Sequence, residues 1–542
     1  MHIQGKIVDL HARRIFPGEI HIEDGKIQSI TPLDSAPERF IMPGFIDAHV
    51  HVESSMLVPS EFARMAIVHG TVATVSDPHE IANVLGVAGV RFMMENGSKT
   101  PFKFYFGAPS CVPATSFETA GAVIDSSQIT DLLADPNIVY LAEMMNFPGV
   151  IHRDKEVMAK IAAAHAAGKP VDGHAPGLRG DDLKAYVSAG ISTDHECFTQ
   201  EEAQEKLDLG MKILIREGSA AKNFAALIPL MKEHADKLMF CSDDKHPDDL
   251  DAGHINQLAA RAIAEGYDGF DVLRAACINP IEHYNLAVGQ LRPGDTADFI
   301  ITEDLESFKV LETWIDGKQV FSDGRCLFQR ASVDAPNQFN IDTITEKSLE
   351  LEATHTHIRI IEALDGELIT KSSIEPAKTI KGNWVSDPDR DILKLVMVNR
   401  YKDAPLAFGF IRGFGLDHGA IASCVGHDSH NLIAVGADDE SLCRAINLVI
   451  EHQGGIAAVS PSVEHILPLP VAGIMSAQDG HEVAKAYGAI DHFAKTVLQS
   501  DLHAPFMTLS FMGLLVIPSL KLSDKGLFDG NSFSFTTLGV DA

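Results

Sequence analysis

The stretch Pro43-Gly44-Phe45-Ile46-Asp47-Ala48-His49-Val50-His51-Val52-Glu53-Ser54-Ser55 constrains this chain more than any other. Written as a strand, it alternates with period two. Phe45, Asp47, His49 and His51 take one face, while Ile46, Ala48, Val50 and Val52 make a wholly apolar opposite face. The apolar face calls for a covering layer of helices. Two imidazoles at i and i+2 near a strand end can reach one cation together, because neutral imidazole is a common metal ligand. A pair of satisfied polar residues is the plain alternative for any His-x-His. Pro43-Gly44 at the entry and Glu53-Ser54-Ser55 at the exit favour chemistry here.

Further β-type runs follow at regular intervals, with helical patterns between them. They begin near Phe45, Thr71, Phe102, Ile138, Pro170, Gly190, Met211 and Leu238. Eight such runs over about 240 residues match the size of a (β/α)8 barrel, whose active site lies at the C-terminal strand ends. Ligand-type residues collect at those ends: His49 and His51 on the first run, Asp77 and His79 after the second, Glu143 on the fourth. His174 ends the fifth, His195 the sixth and Asp243 the eighth.

Strands of another kind flank this region. Lys6–Leu10, Gly18–Ile22 and Lys26–Ile30 precede it, with an Asp-Gly hairpin turn at Asp24-Gly25. Asp298–Ile301 and Val310–Val320 follow it. They are too few on either side to bury a core alone, so residues 1–43 and 285–335 are expected to form one composite β-sandwich around a barrel at 44–284. Residues 340–542 read as a C-terminal α+β domain, with helical periodicity at Ser441–Gln453 and Glu482–Gln499 and a Gly- and His-rich stretch at Gly409–Ala437. The class is therefore α/β, a TIM-like barrel with two companions, and 542 residues suffice for several cores.

Composition excludes some functions. With 44 basic and 75 acidic residues the formal charge is -31, a field that repels phosphate backbones and argues against nucleic acid as a partner. The seven Cys are scattered and form no Cys-x-x-Cys pair, which argues against a disulfide framework and a thiolate zinc site. No run approaches the ~18 apolar residues of a membrane span, and Met1–Gly5 does not begin a signal peptide. A cytoplasmic homo-oligomer acting on a small molecule, without a membrane partner, is the expected setting.

His49, His51, Glu143, His174, His195 and Asp243 exceed the needs of one tetrahedral ion. They suit two divalent ions that share a carboxylate, and Glu143 can bridge because each of its oxygens can take one ion. Two ions near one water lower its pKa toward about 7, and Asp243 can accept the released proton. Metal-assisted hydrolysis at an sp² carbon is the expected reaction. Taken singly, each residue has a plainer role: His174 or His195 as a polar turn residue, Asp243 as a helix N-cap. Those plainer roles would have to hold together at five strand ends. Cys197 and Cys241 read as packing residues.

The first run resembles the first-strand motif of the amidohydrolase superfamily. Within it the whole chain resembles the bacterial adenine deaminase family. The resemblance is carried by Asp47–Ser55, Ser76-Asp77-Pro78-His79-Glu80-Ile81-Ala82-Asn83, Phe106–Thr115, Ala142-Glu143-Met144-Met145-Asn146, Asp172–Gly177 and Cys241–Asp244. Gly426-His427-Asp428-Ser429-His430-Asn431 and Thr508–Met512 fit as well. Many superfamily members place a carboxylated lysine on the fourth strand, but Lys155 comes too late here, so the resemblance implies Glu143 as the bridging ligand.

It also implies Mn2+ or Fe2+ in preference to Zn2+, and conversion of adenine and water to hypoxanthine and ammonia, in purine salvage. Hydroxide would attack C6, Asp243 and Glu143 being the catalytic carboxylates. The one-zinc nucleobase deaminases reach the same carbon with a Pro-Cys-x-x-Cys pairing that this sequence lacks. Asp77, His79, Glu80, Ser110 and Asn146 are the candidate substrate contacts; the first three could equally orient a ligand, bind an accessory metal or cap a helix. His427 and His430 could form a lid over the barrel, hold a further ion or sit in a polar loop. Competing functions are another amidohydrolase, such as a cyclic amidase or deacetylase, and an inactive barrel scaffold.

Overall fold

The computed structural model describes residues 1–541. Its centre is a ring of eight short parallel strands: β1 (Phe45–Val50), β2 (Thr71–Ser76), β3 (Lys103–Ala108), β4 (Ile138–Met144), β5 (Val171–Gly173), β6 (Thr193–Asp194), β7 (Lys212–Arg216) and β8 (Leu238–Cys241). β1 to β5 form one ladder and β6 to β8 another. Single bridges close the circle, Val171 to Ile191 on one side and Val50 to Asp243 on the other. Each strand follows one of the β-type runs of the sequence. Both faces of β1 and β2 are buried throughout, as a barrel interior plus an outer helical layer requires.

The flanking strands pair into one eight-stranded sheet instead of two separate ones. Phe40–Pro43, which the sequence pattern did not reveal as a strand, stitches the two halves together. It runs parallel to His2–Asp9 and antiparallel to Phe299–Thr302. The sheet bends over until its hairpin turns meet. Gly25 (φ +75°) and Gly317 (φ +71°) approach so closely that a Cβ on Gly317 would sit 2.8 Å from the Gly25 Cα. Ile7, Ile20, Ile22, Phe299, Ile301 and Trp314 fill the interior of the fold.

Residues 327–345 carry no helix or strand yet are tied down, for example by Arg330 to Glu61 at 2.8 Å. A nine-stranded sheet follows, built around Leu393–Val398, Ala407–Arg412, Ala420–Ser423 and Leu432–Gly436. Alternation gives that sheet two apolar faces. Val396, Ala422 and Ala434 pack on the helix Asp439–Glu451, whose N-cap Asp438 accepts from the Ser441 N–H at 2.7 Å. Leu395, Ile421, Ile433 and Val435 belong to the same core as the barrel. The C-terminal region therefore lies on the barrel through buried apolar surface, and the turn 426–431 between two of its strands reaches the barrel mouth.

Candidate metal centre

Glu143, at the end of β4, stands at the centre of the imidazoles. Its Oε2 lies 2.9 Å from His174 Nδ1, 3.0 Å from His195 Nε2 and 3.9 Å from His49 Nε2. Its Oε1 faces His51 Nε2 and His79 Nδ1, both at 3.5 Å. Each oxygen thus addresses its own group of histidines, the arrangement a bridging carboxylate needs. Lys155 is exposed at the start of the helix Lys155–Ala166, away from this centre.

Asp243 joins from the opposite side, 3.1 Å from His51 Nε2 and 3.7 Å from His49 Nε2. All six expected ligands are therefore together and buried. His51 donates from Nδ1 to the Asp77 carbonyl at 3.2 Å, which leaves its Nε2 lone pair facing inward, as ligating histidines are commonly oriented. His195 Nε2 is buried with no hydrogen-bond partner, although Glu143 is 3.0 Å away. A buried polar atom left unpaired costs about 1–3 kcal/mol. Nitrogen and oxygen atoms that converge in this way suit a cation, and the donor set of imidazoles and carboxylates fits a divalent one.

The electrostatics keep the carboxylates in ligand form. Burial alone would raise the Glu143 carboxyl, but His174 and His195 hold it well below the ordinary range. Burial would likewise raise Asp243, and the Arg216 guanidinium, with His195, holds it well below. Cys197 and Cys241 are buried free thiols, both pushed up by burial. They serve packing, as the sequence suggested.

Alternation fails at β8. By that pattern Asp244 would turn away from Asp243, but the strand ends at Cys241 and Asp243 adopts φ +54°. Both carboxylates border the same cavity. Asp244 accepts from Ser54 Oγ at 2.6 Å and lies 3.7 Å from Arg216 Nη2.

Among the expected substrate contacts, His79 and Glu80 line the cavity. Asp77 stands behind His79, 3.0 Å from its Nδ1; the helix His79–Leu85 is not side-chain capped. Ser110 and Asn146 do not line the cavity. Ser110 Oγ donates to the Glu143 backbone carbonyl, and Asn146 accepts from the Gly149 N–H as a helix N-cap. Both support the β4 end from outside, so neither is placed to touch a substrate. His427 and His430 do not sit in an open polar loop: the whole turn 426–431 is buried, and both imidazoles contact the Glu80 carboxylate.

Residues 40–320 match the amidohydrolase family model, and residues 367–534 match the adenine deaminase C-terminal domain. The chain is 54% identical over 540 residues to an adenine deaminase of Salinibacter ruber, with 99% of both chains covered. It is 56% identical over 535 residues to one of Sulfurovum sp. and 52% identical over 550 residues to one of Methanosarcina mazei, again with 99% of each chain covered. The chain belongs to the adenine deaminase family.

Several residues of this adenine deaminase-family site escaped the sequence. Arg216, fully buried at the end of β7, contacts Glu196 and Asp243. An arginine ending the apolar run Ile213-Leu214-Ile215 was a readable signal that went unused. Glu196 had only its neighbour His195 to announce it. Leu368, Phe511 and Leu514 close the cavity from the C-terminal region, with Met145 from the barrel. No local pattern separates those four from ordinary core residues.

Proposed function

We propose that this chain is a metal-dependent adenine aminohydrolase, which converts adenine and water to hypoxanthine and ammonia. The observation that carries this is the cavity itself. One side presents Glu143, Asp243 and the imidazoles, and the other is an apolar wall of Met145, Leu368, Phe511 and Leu514. A flat apolar ring with a polar edge suits such a space.

His49, His51, Glu143, His174, His195 and Asp243 would hold two divalent ions. Their nitrogen and oxygen donors favour Mn2+ or Fe2+ over Zn2+. Such ions supply Lewis acidity and lower the pKa of water. In this scheme Asp243 takes the proton of the attacking water on its carboxylate and delivers it to the exocyclic nitrogen of the substrate. The amine then leaves as neutral ammonia. Arg216 keeps Asp243 ionised between turnovers, and Glu143 would be the carboxylate that the two ions share. Phe511 packs against the face of the ring, while His79 and Glu80, with Asp77 behind, border its edge.

A place in cytoplasmic purine metabolism is part of the proposal. It is supported by seven free cysteines, and among the described residues no helix is long and apolar enough to cross a membrane. Self-association is proposed as well, and light scattering would report it. Incubation of the purified chain with adenine and Mn2+ should release hypoxanthine and ammonia in equal amounts. No release from adenine, with turnover of cyclic amides or N-acetyl compounds, would reassign the substrate.

A further inference from the structure

β4 and β5 carry Glu143 and His174 at their ends, and their pairing is irregular just there. Leu141 faces Val171 and Met144 faces Gly173, so three steps along β4 meet two along β5. Ala142 and Glu143 lie in the bulge. An extra residue of this kind bends a strand and re-aims its side chains. Tyr186, fully buried on the helix Gly180–Ser188, puts its hydroxyl between the two strand ends. Tyr186 Oη accepts from the His174 N–H at 3.0 Å and donates to the Met144 carbonyl at 2.8 Å. It therefore joins the amide of one expected ligand to the carbonyl one residue beyond the other. Gly173 leaves room for it: a Cβ there would lie 3.0 Å from Tyr186 Oη and 2.4 Å from the Thr193 carbonyl.

Other bonds hold each ligand segment to its own side of the barrel. Ser110 Oγ donates to the Glu143 carbonyl from the β3 side. Ala175 donates its N–H to Asp194 at 3.1 Å and accepts from Lys206 Nζ at 2.8 Å, on the β6 side. The Tyr186 hydroxyl spans the two segments. Only a group that accepts and donates at once can do so. With Phe in its place, the buried His174 N–H and Met144 carbonyl would lose their partner and have to close on each other or take up water. Either response alters the separation of the strand ends. Glu143 Oε2 stands 2.9 Å from His174 Nδ1, and ligand distances in metal sites hold to about 0.2 Å, so a small shift there matters.

We propose that Tyr186 is a positioning residue of the metal centre, whose hydroxyl sets the spacing at which Glu143 and His174 hold one ion together. The inference rests on the two-ion reading above and names the ion that Glu143, His174 and His195 would share. The ion on the side of His49 and His51 does not depend on the β4–β5 spacing. Tyr186 lies in the helical layer outside the cavity and touches no substrate.

Equilibrium dialysis of the intact, chelator-treated chain against Mn2+, with bound metal counted by mass spectrometry, tests it. The native chain should bind two equivalents. Tyr186→Phe, which keeps the ring and the packing, should hold one of them as tightly as the native chain and the other about 10- to 100-fold more weakly, the usual effect of losing an outer partner. The equivalent that His49→Ala retains should be the weakened one, which the double variant reads directly. Circular dichroism confirms the fold. Unchanged affinity for both ions in Tyr186→Phe, with only a lower unfolding midpoint, would make the hydroxyl merely structural and overturn the proposal. Equal weakening of both ions would overturn it as well. A native chain that binds fewer than two equivalents would sink the two-ion reading itself, and this inference with it.

Discussion

Asp243 donates its backbone N–H to the His49 carbonyl at 2.9 Å, while its carboxylate stands 3.7 Å from the His49 imidazole. The bond that joins the last barrel strand to the first therefore also sets two ligands face to face. The left-handed backbone at Asp243, φ +54°, is what lets one residue do both.

Asp243→Asn should lower kcat by about 10²–10⁴-fold, the usual contribution of a positioned acid–base group, with adenine affinity largely kept. Metal content must be measured alongside, because the same carboxylate is a proposed ligand. Asp244→Asn is the control: if it abolishes turnover and Asp243→Asn does not, the proton passes through Asp244.

Glu143→Gln should lose metal and activity together. Outer-shell changes alone cost about 10–100-fold, so removal of the shared carboxylate is expected to cost more than that. A variant that keeps its full metal complement yet fails to turn over would make Glu143 an acid–base residue instead.

Phe511 stacks on His427, ring centroids 5.0 Å apart at 21°, and lines the cavity. Stacking of a base on an aromatic ring is worth about 1–3 kcal/mol by alanine substitution. Phe511→Ala should raise the adenine KM by roughly 5- to 150-fold, with metal content unchanged. An unaltered KM would place the purine elsewhere.

Lys521 is fully buried and donates to the carbonyls of Leu368 and Phe511, at 2.7 and 2.9 Å, so it braces two residues of the apolar wall. Burial pushes its ammonium down to about 7, whereas an unfolded lysine titrates near 10.4. Between those values the unfolded chain binds more protons than the folded one. The penalty of the buried charge is thus complete below pH 7 and fades as pH rises, by at most about 1.4 kcal/mol per pH unit. Denaturant unfolding should show the native chain gaining stability relative to Lys521→Met from pH 7 to pH 9. A difference that is flat with pH would mean that the folded amine stays protonated across this range and that burial does not lower it.

The sequence by itself determined the barrel, the eight strand positions and the five candidate ligands around Glu143. Period-two alternation and strand-end placement are local properties, and each run carries them whatever the rest of the chain does. It also foretold strands on both flanks, though not Phe40–Pro43, whose four residues gain meaning only from partners before and after the barrel. Tertiary structure decided the rest. Alternation could not place Asp244, because the chain leaves the strand at Cys241 and turns left-handed. Ser110 and Asn146 lie in the right segments, yet their side chains bond backbone outside the cavity. The meetings of Glu80 with His430 and of His79 with Asp428, like the wall of Leu368, Phe511 and Leu514, join residues hundreds of positions apart. They exist because burial of the Leu395–Val435 face against the barrel brings the C-terminal turn over the mouth, and no periodicity within either segment encodes that approach.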